Sequence, residues 1–230
     1  MTTTPATGRD TGTGAGAGGE RTVIEQVRDL MPRRPLSMTE AYSIAERQAY
    51  TLLDLLDIRG PHVTYDKLLK LPNIEIILEP DYLLEHISGL SRFYKGQWLI
   101  MVDKNDIHGR RRFTLAHEFK HIIDHPFDKL VYARLGYGDE QRHHAHVEAL
   151  CQYFAACFLM PKTWVKNSWA NGVQDVYNLA SLFQVSVSAM DVRLRSLGLL
   201  ETDEESDRKI STYFRFRQGD TFFLMGGAIL

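Results

Sequence analysis

The means to make a disulfide are missing from this sequence. Only two cysteines, Cys151 and Cys157, stand among its 230 residues. Both fall on one apolar run that reads as a helix, six residues apart. That is about 9 Å along a helix axis, beyond disulfide reach. Free thiols fit a reducing compartment, so a cytoplasmic protein is expected. An excess of charge of either sign is also missing. Lys and Arg number 27 against 29 Asp and Glu, a net charge of −2. This excludes a global pull toward nucleic acid and leaves only local contacts. No apolar leader opens the chain, so no signal peptide is expected. No apolar run is long enough to span a bilayer, and the last one, Phe222 to Leu230, is far too short. A membrane partner is therefore not expected. Residues 1–20 almost lack large apolar side chains and consist mainly of Thr, Gly and Ala. Such a segment cannot bury enough surface to offset its ordering entropy and is expected to be a disordered tail.

What remains is globular in composition, with 44% hydrophobic and 24% charged residues. The length suits one compact domain with tails, or two small ones. The stretch from Arg111 to His125 carries H-E-x-x-H at His117, Glu118 and His121. On a helix the two histidines lie one turn apart on one face. Two imidazoles so placed can share one zinc ion, with bonds of about 2.0–2.1 Å. Glu118 directly follows the first histidine. In this motif it is the general base, acting on the attacking water rather than on the metal.

A catalytic zinc takes three protein ligands and keeps one open position. The best candidate for the third is Glu148, on the apolar run Val147 to Met160. A carboxylate on such a run is costly unless it has a partner, and a metal supplies one. His143, His144 and His146 are rivals, His146 the strongest because it adjoins the second helix. His125, one turn beyond His121, reads as a surface or outer residue of the site. Cys151 lies about one turn after Glu148. A small buried core residue is the simpler reading; a redox-sensitive neighbour of the metal is the other. Tyr132, His143 and His144 are candidates to stabilise an oxyanion, and the sequence does not choose among them.

The remaining elements follow from punctuation and period. Thr22 to Met31 reads as a short helix, interrupted by Pro32 and Pro35. Ser37 or Thr39 caps a long amphipathic helix to about Asp57. Thr64 can cap a short helix through Leu71. Ile74 to Leu78 reads as a strand. Gly89 to Tyr94 and Gln97 to Val102, joined by Lys95-Gly96, read as a hairpin. Asn105 or Asp106 is expected to cap the HExxH helix. Arg110-Arg111-Arg112 reads as a solvated face, with a patch for acidic substrate residues as the functional alternative. Pro126 to His146 is expected to be a long mobile loop beside the cleft. Pro161 can open a helix through Trp169. Asp175 to Phe183 and Val187 to Leu197, broken at Gln184-Val185-Ser186, resemble a helix-turn-helix, with Arg193 and Arg195 on the second helix. DNA reading through 175–197 is the weaker reading there; support of the fold or substrate docking is preferred. Glu201 to Asp207 reads as an acidic connection, followed by two short strands, Ile210 to Phe216 and Thr221 to Met225.

Together, Arg112 to Glu118 with His121, then Glu148, Phe154-Ala155-Ala156 and Leu159-Met160-Pro161, resemble the ImmA/IrrE family of zinc metallopeptidases. The likeness extends over Ile87 to Leu90, Trp98 to Val102 and Leu179 to Gly198, and so covers roughly residues 38–200. Two positions depart from it: Lys120, where the family usually has Gly, and Gln152, where Asn is usual. The resemblance places the third ligand at Glu148. It implies an α+β fold, with a small mixed or antiparallel sheet on a zincin-like HExxH helix and a helix-turn-helix-like segment after it. It also implies a free sheet edge beside the metal helix, to which an extended substrate adds as a strand. The expected organisation is a tail at 1–20, a short helix and linker at 21–36, a metallopeptidase domain at 37–172, the helix-turn-helix-like segment at 173–200 and an extension at 201–230. The expected cofactor is one zinc ion per chain, with another divalent ion such as Mn2+ as the alternative. The implied activity is endopeptidase cleavage of a helix-turn-helix repressor, releasing mobile-element or stress-response genes. The alternatives are a non-enzymatic zinc-binding DNA regulator and a prophage toxin-type hydrolase.

Overall fold

The computed structural model describes residues 21–64, 66–79 and 88–201. The tail at 1–20 and the two C-terminal strands expected after Ile210 lie outside the described residues. Helix α1 (Val23–Arg28) and helix α2 (Met38–Leu55) each open on a capping box, Thr22 with Glu25 and Ser37 with Glu40. In both, the hydroxyl accepts the Glu backbone N–H and the Glu carboxylate accepts the cap backbone N–H, satisfying groups a helix end otherwise leaves open. The short helix α3 (Asp66–Leu69) leads to strand β1 (Ile74–Glu79). Strands β2 (Gly89–Tyr94) and β3 (Gln97–Asp103) form the expected hairpin. Its two-residue turn has positive φ at both Lys95 (49°) and Gly96 (82°), a conformation glycine accepts without strain.

The sheet is mixed, in the order β1-β3-β2, with β1 parallel and β2 antiparallel to the central β3. β3 buries Ile100 and Val102 on one face. The HExxH helix α4 (His108–Asp124) packs against β2 and β3. After it come α5 (Asp128–Val131) and α6 (Glu140–Leu159), and α6 packs on both α4 and α2. Helices α7 (Lys162–Ala170), α8 (Val176–Phe183) and α9 (Val187–Ser196) complete the described chain. The fold is α+β, as expected. Leu179, Phe183, Val185, Met190 and Leu194 share one hydrophobic cluster with Ile100, Phe119 and Phe154. The helix-turn-helix-like pair is thus built into the same core as the sheet and α4. Among the described residues no helix is long and apolar enough to cross a membrane.

Three local expectations are corrected. The segment 126–146 is not a loop: α5 occupies part of it, Val131, Tyr132 and Leu135 are buried, and α6 begins at Glu140. The three histidines are therefore helical. Their polar neighbours masked a periodicity that tertiary burial completes. The HExxH helix has neither Asn105 nor Asp106 as its cap; Ile107 takes that place, without a side-chain hydrogen bond. Asp106 instead pairs with Arg110. Finally, the arginine run is not one solvated face. Arg110 is exposed and bonds the Ser88 hydroxyl, but Arg112 is 1% exposed. Its guanidinium donates to the carbonyls of Phe183 and Gln184, at the end of α8, and of Val63.

Arg193 is buried in the same manner. It donates Nε–H to the Met160 carbonyl at the end of α6, at 3.0 Å, and Nη2–H toward the Cys157 sulfur, at 3.7 Å. Arg195 pairs with Asp191 on its own helix. Arg193→Ala is expected to leave the Met160 carbonyl without this charged donor and to lower stability by about 2–3 kcal/mol. A urea melt of the full chain measures this; an unchanged midpoint would count against the buried bond.

Candidate metal centre

Helices α4 and α6 lie side by side, so residues distant in sequence meet between them. His117 and His121 project from one face of α4. Glu148 comes from the facing turn of α6. The three donor groups converge. His117 Nε2 lies 3.2 Å from His121 Nε2. Glu148 Oε2 is 3.1 Å from His117 Nε2, and Oε1 is 3.3 Å from His121 Nε2. Four ligand atoms held tetrahedrally at about 2.0–2.1 Å from an ion would stand about 3.3–3.4 Å apart. The observed spacing fits that edge length without rearrangement. The side chains of His117, Glu148 and His121 are 14%, 26% and 29% exposed, so the cluster is partly sheltered and open on one side. Burial alone would raise the Glu148 pKa, but hydrogen bonds and charge from His117 and His121 hold it well below the usual carboxylate range.

Cys151 also approaches. Its sulfur is 3.6 Å from His121 Nδ1, and His117, His121 and Cys151 together form a group able to hold a metal. The geometry separates its role from that of Glu148. The carboxylate sits where the two Nε2 atoms face each other, whereas the sulfur sits at the other nitrogen of the ring. Burial pushes the Cys151 thiol pKa up. Cys151 is thus a buried core residue that also stands beside His121.

Glu118 is 8% exposed and lies where α4 meets the start of β2. A Cβ on Gly89 would come within 2.3 Å of Thr114 Cγ2, 3.1 Å of the Met101 carbonyl oxygen and 3.5 Å of Glu118 Cγ. Glycine at 89 therefore lets the strand approach the helix beside Glu118. From there β2 runs toward the end of α4. Phe93 rests on Trp98, and Trp98 on the exposed His125 ring, with centroids 5.2 and 4.9 Å apart.

The other histidines separate. His144 Nε2 stands 3.8 Å from Glu148 Oε1, its side chain 73% exposed. His143 turns Nδ1 to the Leu135 carbonyl, 2.7 Å away. His146 is half-buried, and burial lowers its pKa. Tyr132 is buried, and its hydroxyl donates to Asp124 Oδ2 at 2.5 Å, which removes it from contact with a substrate.

Lys120, on α4 between the two histidines, was absent from the functional reading of the sequence, where it counted only as a departure from the family. It is fully buried. Its ammonium donates to Gln48 Oε1 at 2.8 Å, Asp124 Oδ1 at 2.5 Å and the Tyr132 oxygen at 3.2 Å. All three N–H donors of a lysine are thereby used. Its i,i+4 spacing to Asp124 was the one signal in the sequence that could have found the pair.

An HExxH helix on a small sheet, with a carboxylate delivered by a neighbouring helix, defines a metallopeptidase-type domain. The chain belongs to the Peptidase_M78 family: the model of its IrrE N-terminal-like domain matches residues 72–195, more than half the chain. A solved structure described as a Mycobacterium tuberculosis transcriptional regulator is similar in fold, with 19% identity and a TM-score of 0.53. The match covers 76% of this chain and 52% of that one, so this chain spans about half the length of that relative. No curated protein matches.

The close approach at Gly89 can be tested directly. Gly89→Ala is expected to cost about 1–3 kcal/mol, because the methyl group meets Thr114 and a backbone carbonyl at once. Thermal unfolding reads this; a variant as stable as the parent would mean that strand and helix are not in contact here.

Proposed function

We propose that the chain is a zinc-dependent endopeptidase that cleaves a helix-turn-helix transcriptional repressor and so relieves repression of mobile-element or stress-response genes. The observation that carries the metal-centre part is the convergence of His117, His121 and Glu148 at tetrahedral spacing, with Glu118 one residue along. Membership of the peptidase family supports the reaction class. The repressor substrate follows from the family resemblance.

His117, His121 and Glu148 would hold the zinc, which when bound would supply Lewis acidity toward a carbonyl oxygen and lower the pKa of its water from about 15.7 toward about 7. Glu118 takes the proton of the attacking water on its carboxylate and returns it to the leaving amine. An extended substrate segment adds to β2, whose outer edge has no strand partner among the described residues. Gly89 brings β2 beside Glu118, so a segment paired along that edge would present its scissile carbonyl toward the histidine face of α4. We assign the oxyanion contact to His144, which reaches the Glu148 side of the cluster while Tyr132 is engaged elsewhere. Both ligand histidines must be neutral to bind metal, so metal retention and activity fall together in acid.

DNA reading by 175–197 has less support. Arg193 is spent on a carbonyl in the core and Arg195 on Asp191. Val187 and Ser188, at the start of α9, carry no charge to a phosphate.

Two measurements test the proposal. Metal-loaded protein should contain one zinc per chain by elemental analysis, and His117→Ala with His121→Ala should remove it; unchanged stoichiometry would sink the site. Glu118→Gln should keep metal and fold yet slow cleavage of the cognate repressor by about 10²–10⁴-fold, since glutamine cannot accept the proton. Near-normal cleavage by that variant would refute the mechanism.

A further inference from the structure

We infer that Cys151 is the residue that positions His121 as a metal ligand: its sulfur accepts the Nδ1 proton of the ring and so turns Nε2 toward His117 and Glu148. The inference rests on the metal-centre reading above and adds to it a residue outside the HExxH motif.

A neutral imidazole carries its proton on one nitrogen and its lone pair on the other. A metal takes the lone pair, so the bond made by the far nitrogen decides which tautomer and which ring orientation are present. In His121, Nε2 is the converging atom, 3.2 Å from His117 Nε2 and 3.3 Å from Glu148 Oε1. Nδ1 must then hold the proton, and the atom placed to accept it is Cys151 Sγ, at 3.6 Å. Outer partners of ligand histidines are usually carboxylates, carbonyls or waters. Here the buried carboxylate three residues along α4, Asp124, is committed elsewhere: Lys120 holds Oδ1 and Tyr132 holds Oδ2. The sulfur fills the role instead.

The sequence builds this locally. Glu148 and Cys151 are three residues apart on α6, so both face α4 from neighbouring turns. One helix thus addresses both nitrogens of the ring, with an oxygen at Nε2 and a sulfur at Nδ1. Cys151 is 0% exposed, which keeps water from competing for the Nδ1 proton. Cys157, further along the same helix and equally buried, faces Arg193 instead. It serves as the internal control.

The test uses the full chain stripped of metal and titrated with zinc against a chromophoric chelator. Cys151→Ala is expected to weaken zinc binding about 10–100-fold. Cys151→Ser should recover part of that loss, because a hydroxyl oxygen accepts the same bond, and Cys157→Ala should bind as the parent does. Long-range 15N–1H correlation spectra should show His121 as the Nδ1–H tautomer in the parent, with that preference lost in Cys151→Ala. This readout stands without any assay of cleavage. Parental affinity in a folded Cys151→Ala chain would overturn the positioning role alone. A strong near-UV thiolate band in the cobalt-loaded parent would overturn it differently, by making Cys151 a direct ligand. Failure of the parent to bind zinc at all would bring down the metal-centre reading, and this one with it. Should Cys151→Ala not fold, the Ser variant and the tautomer of the parent decide.

Discussion

Buried or half-buried arginines placed on the carbonyls of helix ends are the constraint on which the rest of this structure depends. Each helix leaves its last carbonyls without partners inside the helix. Arg28 donates to Ile122 and Ile123 at the end of α4. Arg112, from α4, closes the end of α8, and Arg193, from α9, closes the end of α6. The negative end of each helix dipole favours the charge placed there. These contacts tie α1, α4, α6, α8 and α9 to one another at defined heights. The histidine face of α4 then meets Glu148 in register, which apolar packing alone would specify less sharply.

The interior of α4 obeys the same logic. A buried lysine is costly unless every donor is met, and Lys120 meets three acceptors from three parts of the chain. Gln48 brings α2 to the cluster, and Tyr132 fixes the segment after α5. Lys120 thus links α4 to the opposite wall. The same cluster occupies Asp124, which leaves His121 to the Cys151 sulfur.

The site is built at a boundary between buried and open parts. Behind it stand α6 and the core cluster around Phe119 and Phe154. In front lie the edge strand β2 and the exposed His125 and His144 rings. Gly89 sets the distance between the two, since any side chain there would push the strand from Glu118. Such a layout suits a protein substrate that enters as a strand, and it suits the peptidase family to which the chain belongs.

Much of this was legible in the residues. HExxH spacing put two imidazoles on one helix face, and alternation with a Lys-Gly turn gave the β2–β3 hairpin. Ser37, offered with Thr39 as the cap, announced α2, and Gln184 to Ser186 divided α8 from α9. These are properties of a few adjacent residues, where backbone period and capping chemistry act over one or two turns. What local pattern could not decide is where charge is spent. Arg112 and Arg193 look like solvated or DNA-facing cations in the sequence and are core ties in the fold. The polar run from Pro126 to His146 looks like a loop, yet α5 and the start of α6 form within it and Val131, Tyr132 and Leu135 find a core to which α2 contributes. Cys151 looks like packing until α6 lies against α4. The sequence by itself determined the elements and the chemical groups available. The tertiary structure alone decided their partners, because burial and hydrogen-bond satisfaction depend on contacts between residues tens of positions apart.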